Sequence, residues 1–153
     1  TELGASQIWA FPADWSVAKW DGKKLGKKVE KLEKIALGAA EQSKRNLVPS
    51  ITLFEKKADF LAQFDQFDRI VVAYEESAKE GEAAALLQSL TGLEAGSKLL
   101  FIFGPEGGLS PAEIESFTAK GAVLAGLGPR ILRAETAPLY ALSAVSVVTE
   151  LMN

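Results

Sequence analysis

Cysteine and histidine are both missing from the 153 residues of this chain. Without cysteine there is no disulfide framework and no thiolate nucleophile. Without either residue the usual zinc ligand sets cannot be assembled, so no metal site is expected. The lack of histidine also removes the side chain that ordinarily titrates near neutral pH. Any proton transfer must therefore use a carboxylate, a lysine, a tyrosine or water. No apolar run reaches the length of about 20 residues that a membrane-spanning helix needs. No charged stub followed by a hydrophobic stretch and a cleavage site opens the chain. A cytoplasmic protein with no membrane partner is expected, and neither an internal repeat nor a low-complexity tract divides it.

What is present suits one compact domain: 48% of residues are hydrophobic and 24% charged, enough apolar material for a core and enough charge for its surface. The net charge of −3 argues mildly against a free-standing nucleic-acid binder. Its distribution is uneven. Residues 1–45 carry nine Lys and Arg against six Asp and Glu, or +3, whereas residues 46–153 carry eight against fourteen, or −6. Most of the early cations lie between Lys19 and Lys34, where Leu25, Val29, Leu32 and Ile35 recur at helical spacing. That spacing gathers Lys24, Lys28 and Lys31 on another face, which reads either as a solvated helix face or as a patch for RNA phosphates.

Short apolar runs alternate with helical patterns. Ile8–Phe11, Ile51–Phe54, Ile70–Tyr74, Leu99–Phe103 and Val123–Leu127 read as strands. Helices are expected over Lys23–Ser43, Ala58–Phe64, roughly Gly81–Leu90, Pro111–Lys120 and Ala137–Met152. Runs such as Ile70-Val71-Val72-Ala73 are apolar without alternation, as strands buried on both faces require. The fold class predicted is α/β, a mostly parallel sheet with helices on both faces. The last helix is apolar nearly all round, through Leu139, Tyr140, Leu142, Val145, Val147, Val148, Leu151 and Met152. Such a helix belongs either in a large core or against a second subunit, and a homodimer follows from the latter.

In open parallel sheets ligands bind outside the carboxyl ends of the strands. Three such ends attract notice: Tyr74-Glu75-Glu76-Ser77, Gly104-Pro105-Glu106-Gly107-Gly108, and Gly128-Pro129-Arg130-Ile131-Leu132-Arg133. The glycines of the second loop let main chain approach a ligand closely, although a plain glycine turn explains them equally well. The loop has neither the spacing of a dinucleotide fingerprint nor the Gly-Lys-Ser/Thr of a P-loop. It enters a helix with Ser110 as N-cap, Pro111 in first position, Glu113 completing a capping box, and Gly121 as the stop. The third loop holds two of the chain's four arginines, Arg130 and Arg133, beside Glu135, with Thr136 as N-cap of the final helix. Arg133 either pairs with Glu135 or presents its planar donors to RNA or to a cofactor carboxylate. Glu41-Gln42-Ser43-Lys44-Arg45-Asn46 ends the lysine-rich helix with a polar cluster whose cations suit the helix terminus.

Three segments in order, Glu41-Gln42-Ser43-Lys44-Arg45-Asn46-Leu47-Val48-Pro49-Ser50-Ile51, Phe103-Gly104-Pro105-Glu106-Gly107-Gly108-Leu109-Ser110 and Leu127-Gly128-Pro129-Arg130-Ile131-Leu132-Arg133-Ala134-Glu135-Thr136-Ala137, together resemble the RsmE family of 16S ribosomal RNA uridine-N3 methyltransferases. The opening Thr1-Glu2-Leu3-Gly4 fits the same pattern. The resemblance implies a SPOUT-type fold with a C-terminal trefoil knot, a homodimer, and S-adenosyl-L-methionine as cofactor. It implies 16S rRNA in the small ribosomal subunit as partner, and a PUA-like β-barrel RNA-binding domain ahead of Thr1 that this chain does not include. Carried over by position, the cofactor would be held by Tyr74, Gly104, Pro105, Glu106, Gly107, Gly108, Leu127, Gly128, Arg130, Ile131 and Leu132. Arg133 and Arg130 would stabilise charge developing on the uracil oxygens, while Glu135 or Glu106 orients the arginine or takes the proton. Gln42 and Arg45 would touch RNA, with Lys24, Lys28 and Lys31 as its phosphate patch. Two other readings stay open: a SPOUT ribose 2′-O-methyltransferase, and a non-catalytic RNA-binding or ribosome-assembly module.

Overall fold

The structure is a computed structural model and describes residues 1–76 and 84–152. Where one compact domain is expected, the chain gathers into two units, one formed by 1–12 with 17–60 and the other by 13–16 with 61–153. Among the described residues five strands stand where the apolar runs predict them: β1 Gln7–Ala10, β2 Ser50–Leu53, β3 Arg69–Ala73, β4 Leu99–Ile102 and β5 Val123–Ala125. All pairings are parallel. The strands form two sheets instead of the single one expected, β1-β2 in the first unit and β4-β3-β5 in the second. Strand patterning carries the burial of each run but not its pairing partner, so the division was not legible in advance.

In the first unit, helix α1 spans Gly22–Gln42, with Asp21 as N-cap accepting from the Lys23 N–H at 3.1 Å. Its buried residues are Ala36 and Ala40, with Leu25, Val29 and Leu32 half-buried. Ile35, expected on that face, is instead exposed. The positions 25, 29, 32, 36 and 40 keep the helical period, and alanine lets the helix backbone come close to its neighbour. The helix ends in a left-handed turn at Lys44 (φ 58°), with the Arg45 N–H donating to the Ala40 carbonyl at 2.9 Å, a Schellman arrangement. Trp9, Phe11, Phe54 and Phe60 form an aromatic cluster, Phe11 and Phe60 stacked with centroids 4.3 Å apart. The predicted Ala58–Phe64 helix divides into a short α2, Lys57–Leu61, and a 3₁₀ turn at Phe64–Gln66.

In the second unit, Val71 packs in a cluster with Ala125 of β5 and with Leu86 and Leu90 of α3, Ala84–Leu90. Ala144, Val145 and Val148 of the C-terminal helix lie against the same cluster. The expected start of α3 at Gly81 lies outside the described residues. Ile70 and Val72 alternate to the opposite face and are buried as well, so β3 is covered on both sides. Helix α4, Pro111–Ala119, follows the glycine loop and buries Phe117, whose ring meets that of Phe64 at 5.6 Å. Its capping box forms as predicted, and Gly121 stops it at φ 90°.

The final helix departs from expectation in its cap and in its regularity, while its exposure leaves open the contact with a second subunit. Thr136 has helical backbone and its side chain makes no capping bond. The Thr136 and Ala137 N–H groups both donate to the Arg133 carbonyl, so a backbone turn replaces the side-chain cap. Helix α5 covers Ala137–Ser146 and widens into a π turn at Val147–Leu151 instead of continuing regularly to Met152. Finally, although Ala141 is fully buried, Leu139, Val147, Leu151 and Met152 are exposed, with Leu151 at 75%. One side of this apolar helix is therefore uncovered among the described residues.

Candidate functional site

Parallel pairing brings the carboxyl ends of β3, β4 and β5 to one edge of the three-stranded sheet. The loops that follow them meet there. The chain passes from central β3 to β4 on one side and later returns to β5 on the other, so a crevice opens where the order reverses. The Tyr74 N–H donates to the Ala125 carbonyl at 3.0 Å, carrying the ladder one residue beyond β3 to the rim.

The resulting cleft of about 650 Å³ is within the range of small-molecule sites. Aliphatic groups, including Ala73, Leu109, Leu127 and Leu132, make much of its wall, and polar groups cluster at the loops. Of the residues carried over from the resemblance, Tyr74, Gly104, Pro105, Glu106, Gly108, Leu127, Gly128, Arg130, Ile131, Leu132, Arg133 and Glu135 all line it. Gly107 does not. A Cβ there would face the Cβ and carbonyl oxygen of Trp15 at 3.5 and 3.6 Å.

Two glycines are dictated by what lies next to them. A Cβ on Gly104 would sit 3.0 Å from the Leu109 Cγ and 3.2 Å from the Gly108 and Leu109 backbone, so the loop closes on itself only because Gly104 has none. Gly128 takes φ 89°, and a Cβ there would meet the Tyr140 hydroxyl at 3.3 Å. The Gly108 N–H donates to the Pro105 carbonyl at 2.8 Å, closing a tight turn. Main chain from these loops can thus approach a ligand closely.

The glycine loop is anchored through α4. The Glu113 carboxylate, 2% exposed, accepts from the Ser110 N–H and from the Asp14 N–H, each at 2.9 Å. The Ser110 hydroxyl accepts from the Glu113 N–H at 3.2 Å and donates to Asp14 Oδ2 at 2.5 Å. This network holds residues 13–16 beside the loop and places Trp15 in the cleft wall. Sequence reasoning missed Trp15. Nothing periodic marks Ala13-Asp14-Trp15-Ser16, and the bond that locates it spans 99 residues of chain.

Arg133 lies 3.9 Å from Glu135, with side chains 85% and 68% exposed. The pair anticipated from the sequence is thus present but solvated, and worth little. Arg130 is exposed too, leaving both guanidinium groups at the cleft rim.

The RNA candidates stand in the other unit. Lys24, Lys28 and Lys31 are exposed on α1, and the Lys28 Nζ lies 5.6 Å from the Trp20 ring centroid. Gln42 is exposed at the end of the helix. Arg45 donates to the Thr1, Ala5 and Gly4 carbonyls at 2.7, 2.9 and 3.3 Å, so its guanidinium clamps the opening turn of the chain. Among the described residues no group of His, Cys, Asp and Glu is arranged to hold a metal, and no helix is long and apolar enough to cross a membrane.

Comparison with known proteins gives a consistent result. Residues 1–146 match the model of an RNA methyltransferase domain. The chain is 53% identical to the ribosomal RNA small subunit methyltransferase E of Bacillus subtilis, covering 100% of this chain and 60% of that protein. The crystal structure of a hypothetical protein, 49% identical, superposes with a TM-score of 0.89 over 99% of this chain and 59% of that one. A ribosomal RNA small subunit methyltransferase E from Neisseria gonorrhoeae, solved bound to S-adenosyl methionine, is 26% identical with a TM-score of 0.74, over 97% of this chain and 58% of that one. The chain thus spans about three-fifths of the length of these relatives. With the strand-end cleft, its glycine loops and a family match over nearly all its residues, the chain belongs to the RNA methyltransferase domain family.

Proposed function

We propose that this domain catalyses S-adenosylmethionine-dependent methylation of N3 of a uridine in 16S rRNA of the small ribosomal subunit, working in the cytoplasm as a homodimer of SPOUT type with a knotted C-terminal region. One observation carries the reading: three strand-end loops converge on a single cleft whose glycines leave main chain bare and whose rim presents Arg130 and Arg133. The similarity to a small subunit methyltransferase solved with S-adenosyl methionine supports the cofactor, and that to the Bacillus subtilis protein supports the RNA.

The cofactor supplies an electrophilic methyl group. The loops 104–108 and 127–132 hold it by main-chain contacts, with Tyr74 at the end of β3 closing the pocket. The protein's remaining tasks are to align the uridine nitrogen and to favour loss of its proton. Arg133, extended into solvent at the rim, stabilises negative charge on the uracil carbonyl oxygens, with Arg130 beside it. Glu135 or Glu106 orients that guanidinium or accepts the proton, directly or through water, since histidine is not available. Lys24, Lys28 and Lys31 offer RNA phosphates an exposed basic face, joined by Gln42. Arg45 shapes the adjoining surface by holding the 1–5 turn, and reaches RNA only through that turn or through its remaining donor capacity. The uncovered side of α5 is the face for a second copy.

Nucleoside mass spectrometry of 16S rRNA from cells lacking the gene tests this. Loss of 3-methyluridine is expected. Loss of a ribose 2′-O-methyl nucleoside instead would assign the acceptor to a hydroxyl, and an unchanged profile would leave a binding or assembly role.

A further inference from the structure

We propose that Trp15 is the stacking platform for the uracil ring of the methyl acceptor, and that Glu113 is the residue that positions it. The proposal rests on the reading of the cleft given above. Trp15 sits in a segment without helix or strand, where a large aromatic side chain would ordinarily be free to turn inward. Instead it is 51% exposed and lines the cleft together with Gly104, Gly108, Arg130 and Arg133. Its backbone is held from beneath. Asp14, the preceding residue, is bonded through its N–H to Glu113 and through its carboxylate to Ser110, both partners being buried. The Ser16 N–H closes a turn onto the Ala13 carbonyl at 3.1 Å, and the Trp15 backbone lies over the bare Cα of Gly107.

The chemistry of an exposed indole at the mouth of such a cleft suits an unpaired base. Each base has a flat π face, and enzymes that modify one take it out of its stack and hold it against aromatic or apolar side chains. A base arriving from solvent finds Trp15 and the two arginines exposed at the cleft, and those arginines match the uracil oxygens at its edge. The more enclosed wall around Ala73, buried Leu109 and Leu127 is left for the cofactor.

The test uses the intact protein, calorimetry with S-adenosylmethionine, and transfer of a labelled methyl group to small-subunit particles. For Trp15→Ala, kcat/KM toward the RNA should fall about 10- to 100-fold, the range supplied by stacking one base on an aromatic ring, while the cofactor Kd stays within about 2-fold. Trp15→Phe should keep most of the activity, because the platform needs a ring and not the indole N–H. Glu113→Gln gives up one of two backbone bonds and should lower the same kcat/KM by several-fold. The Trp15→Ala, Glu113→Gln double variant should be no worse than Trp15→Ala alone, a non-additivity that a merely structural role for Glu113 would not produce.

An RNA kcat/KM within 2-fold of wild type for Trp15→Ala would overturn the proposal. So would a tenfold rise in cofactor Kd, which would assign the ring to adenine, or a changed oligomeric mass, which would assign it to subunit packing. Wild-type protein that takes up no cofactor would overturn the reading of the cleft itself, a result distinct from any of these.

Discussion

The Asp14 N–H donates to Glu113 Oε1 at 2.9 Å, joining a loop near the start of the chain to the first turn of α4. Glu113 thereby does two things at once, completing the cap of a helix and fastening a distant segment. Both bonds are made by a carboxylate almost without solvent contact. Glu113→Ala would leave the buried Ser110 N–H and the part-buried Asp14 N–H without this acceptor, so a loss of about 2 to 3 kcal/mol is expected. Urea denaturation measures it. A loss no larger than that of an ordinary surface substitution would mean that the network is not formed in solution.

The glycines of the 104–108 loop should respond to alanine in a fixed order. Gly104→Ala drives a methyl group against the Leu109 and Gly108 backbone and should damage ligand affinity most. Gly108→Ala meets open space but at φ 80°, and costs about 1 to 2 kcal/mol of strain. Gly107→Ala makes only ordinary contacts with Trp15 and should cost least. Calorimetry with S-adenosylmethionine and thermal melts of the three variants give the ranking, and a different order would contradict the loop geometry.

Lys44 holds the left-handed position that ends α1, where glycine is the favoured residue. Lys44→Gly should stabilise the protein by about 0.5 to 1 kcal/mol, the gain of a side chain no longer forced to positive φ. Destabilisation in the same urea titration would show that the Lys44 side chain has an offsetting attachment.

Arg133 and Glu135 are too solvated for their pairing to matter to the fold, so Glu135→Ala should leave the melting temperature where it is. Arg133→Ala should instead lower turnover about 100-fold with cofactor affinity retained, the cost of removing one donor aimed at developing charge. Normal turnover by Arg133→Ala would transfer that role to Arg130.

The exposed side of α5 sets up a test of assembly. If a second copy covers Leu139, Val147 and Leu151, light scattering should give twice the chain mass for the wild type and a smaller mass for Leu151→Asp. Equal masses for the two proteins would remove α5 as the interface.

Much of the architecture could be read from residues alone, and for identifiable reasons. Strands buried on both faces, such as Ile70-Val71-Val72, carry unbroken apolar runs, and β1 to β5 fall within a residue or two of those runs. The Ser110-Pro111 start and Glu113 cap of α4 are local chemistry, legible because every partner is three residues away. Features that depend on distant partners were not legible. Trp15 enters the cleft wall through a bond made 99 positions along the chain. Ile35 looked like core by hydropathy, but the packing surface of α1 runs through Ala36 and Ala40, where small size decides. The π turn at Val147–Leu151 has no counterpart in a pattern that reads simply as apolar. Arg45 reads from the sequence as a cation suited to a helix terminus or, by the resemblance, as an RNA contact, and only the folded turn shows three carbonyls around its guanidinium.

The turn from Gly104 to Leu109 is closed by its own atoms, through the Gly108 to Pro105 hydrogen bond and the close seat of Leu109 on Gly104. Such a loop meets its ligand as a finished surface. The conformational entropy of ordering those residues is lost when the domain folds and not when the ligand arrives, so the contacts made on binding appear nearly undiminished in the affinity. Selection for tight binding at this site therefore acts on the folding of the loop, through residues such as Leu109 and Glu113 whose side chains are turned away from solvent.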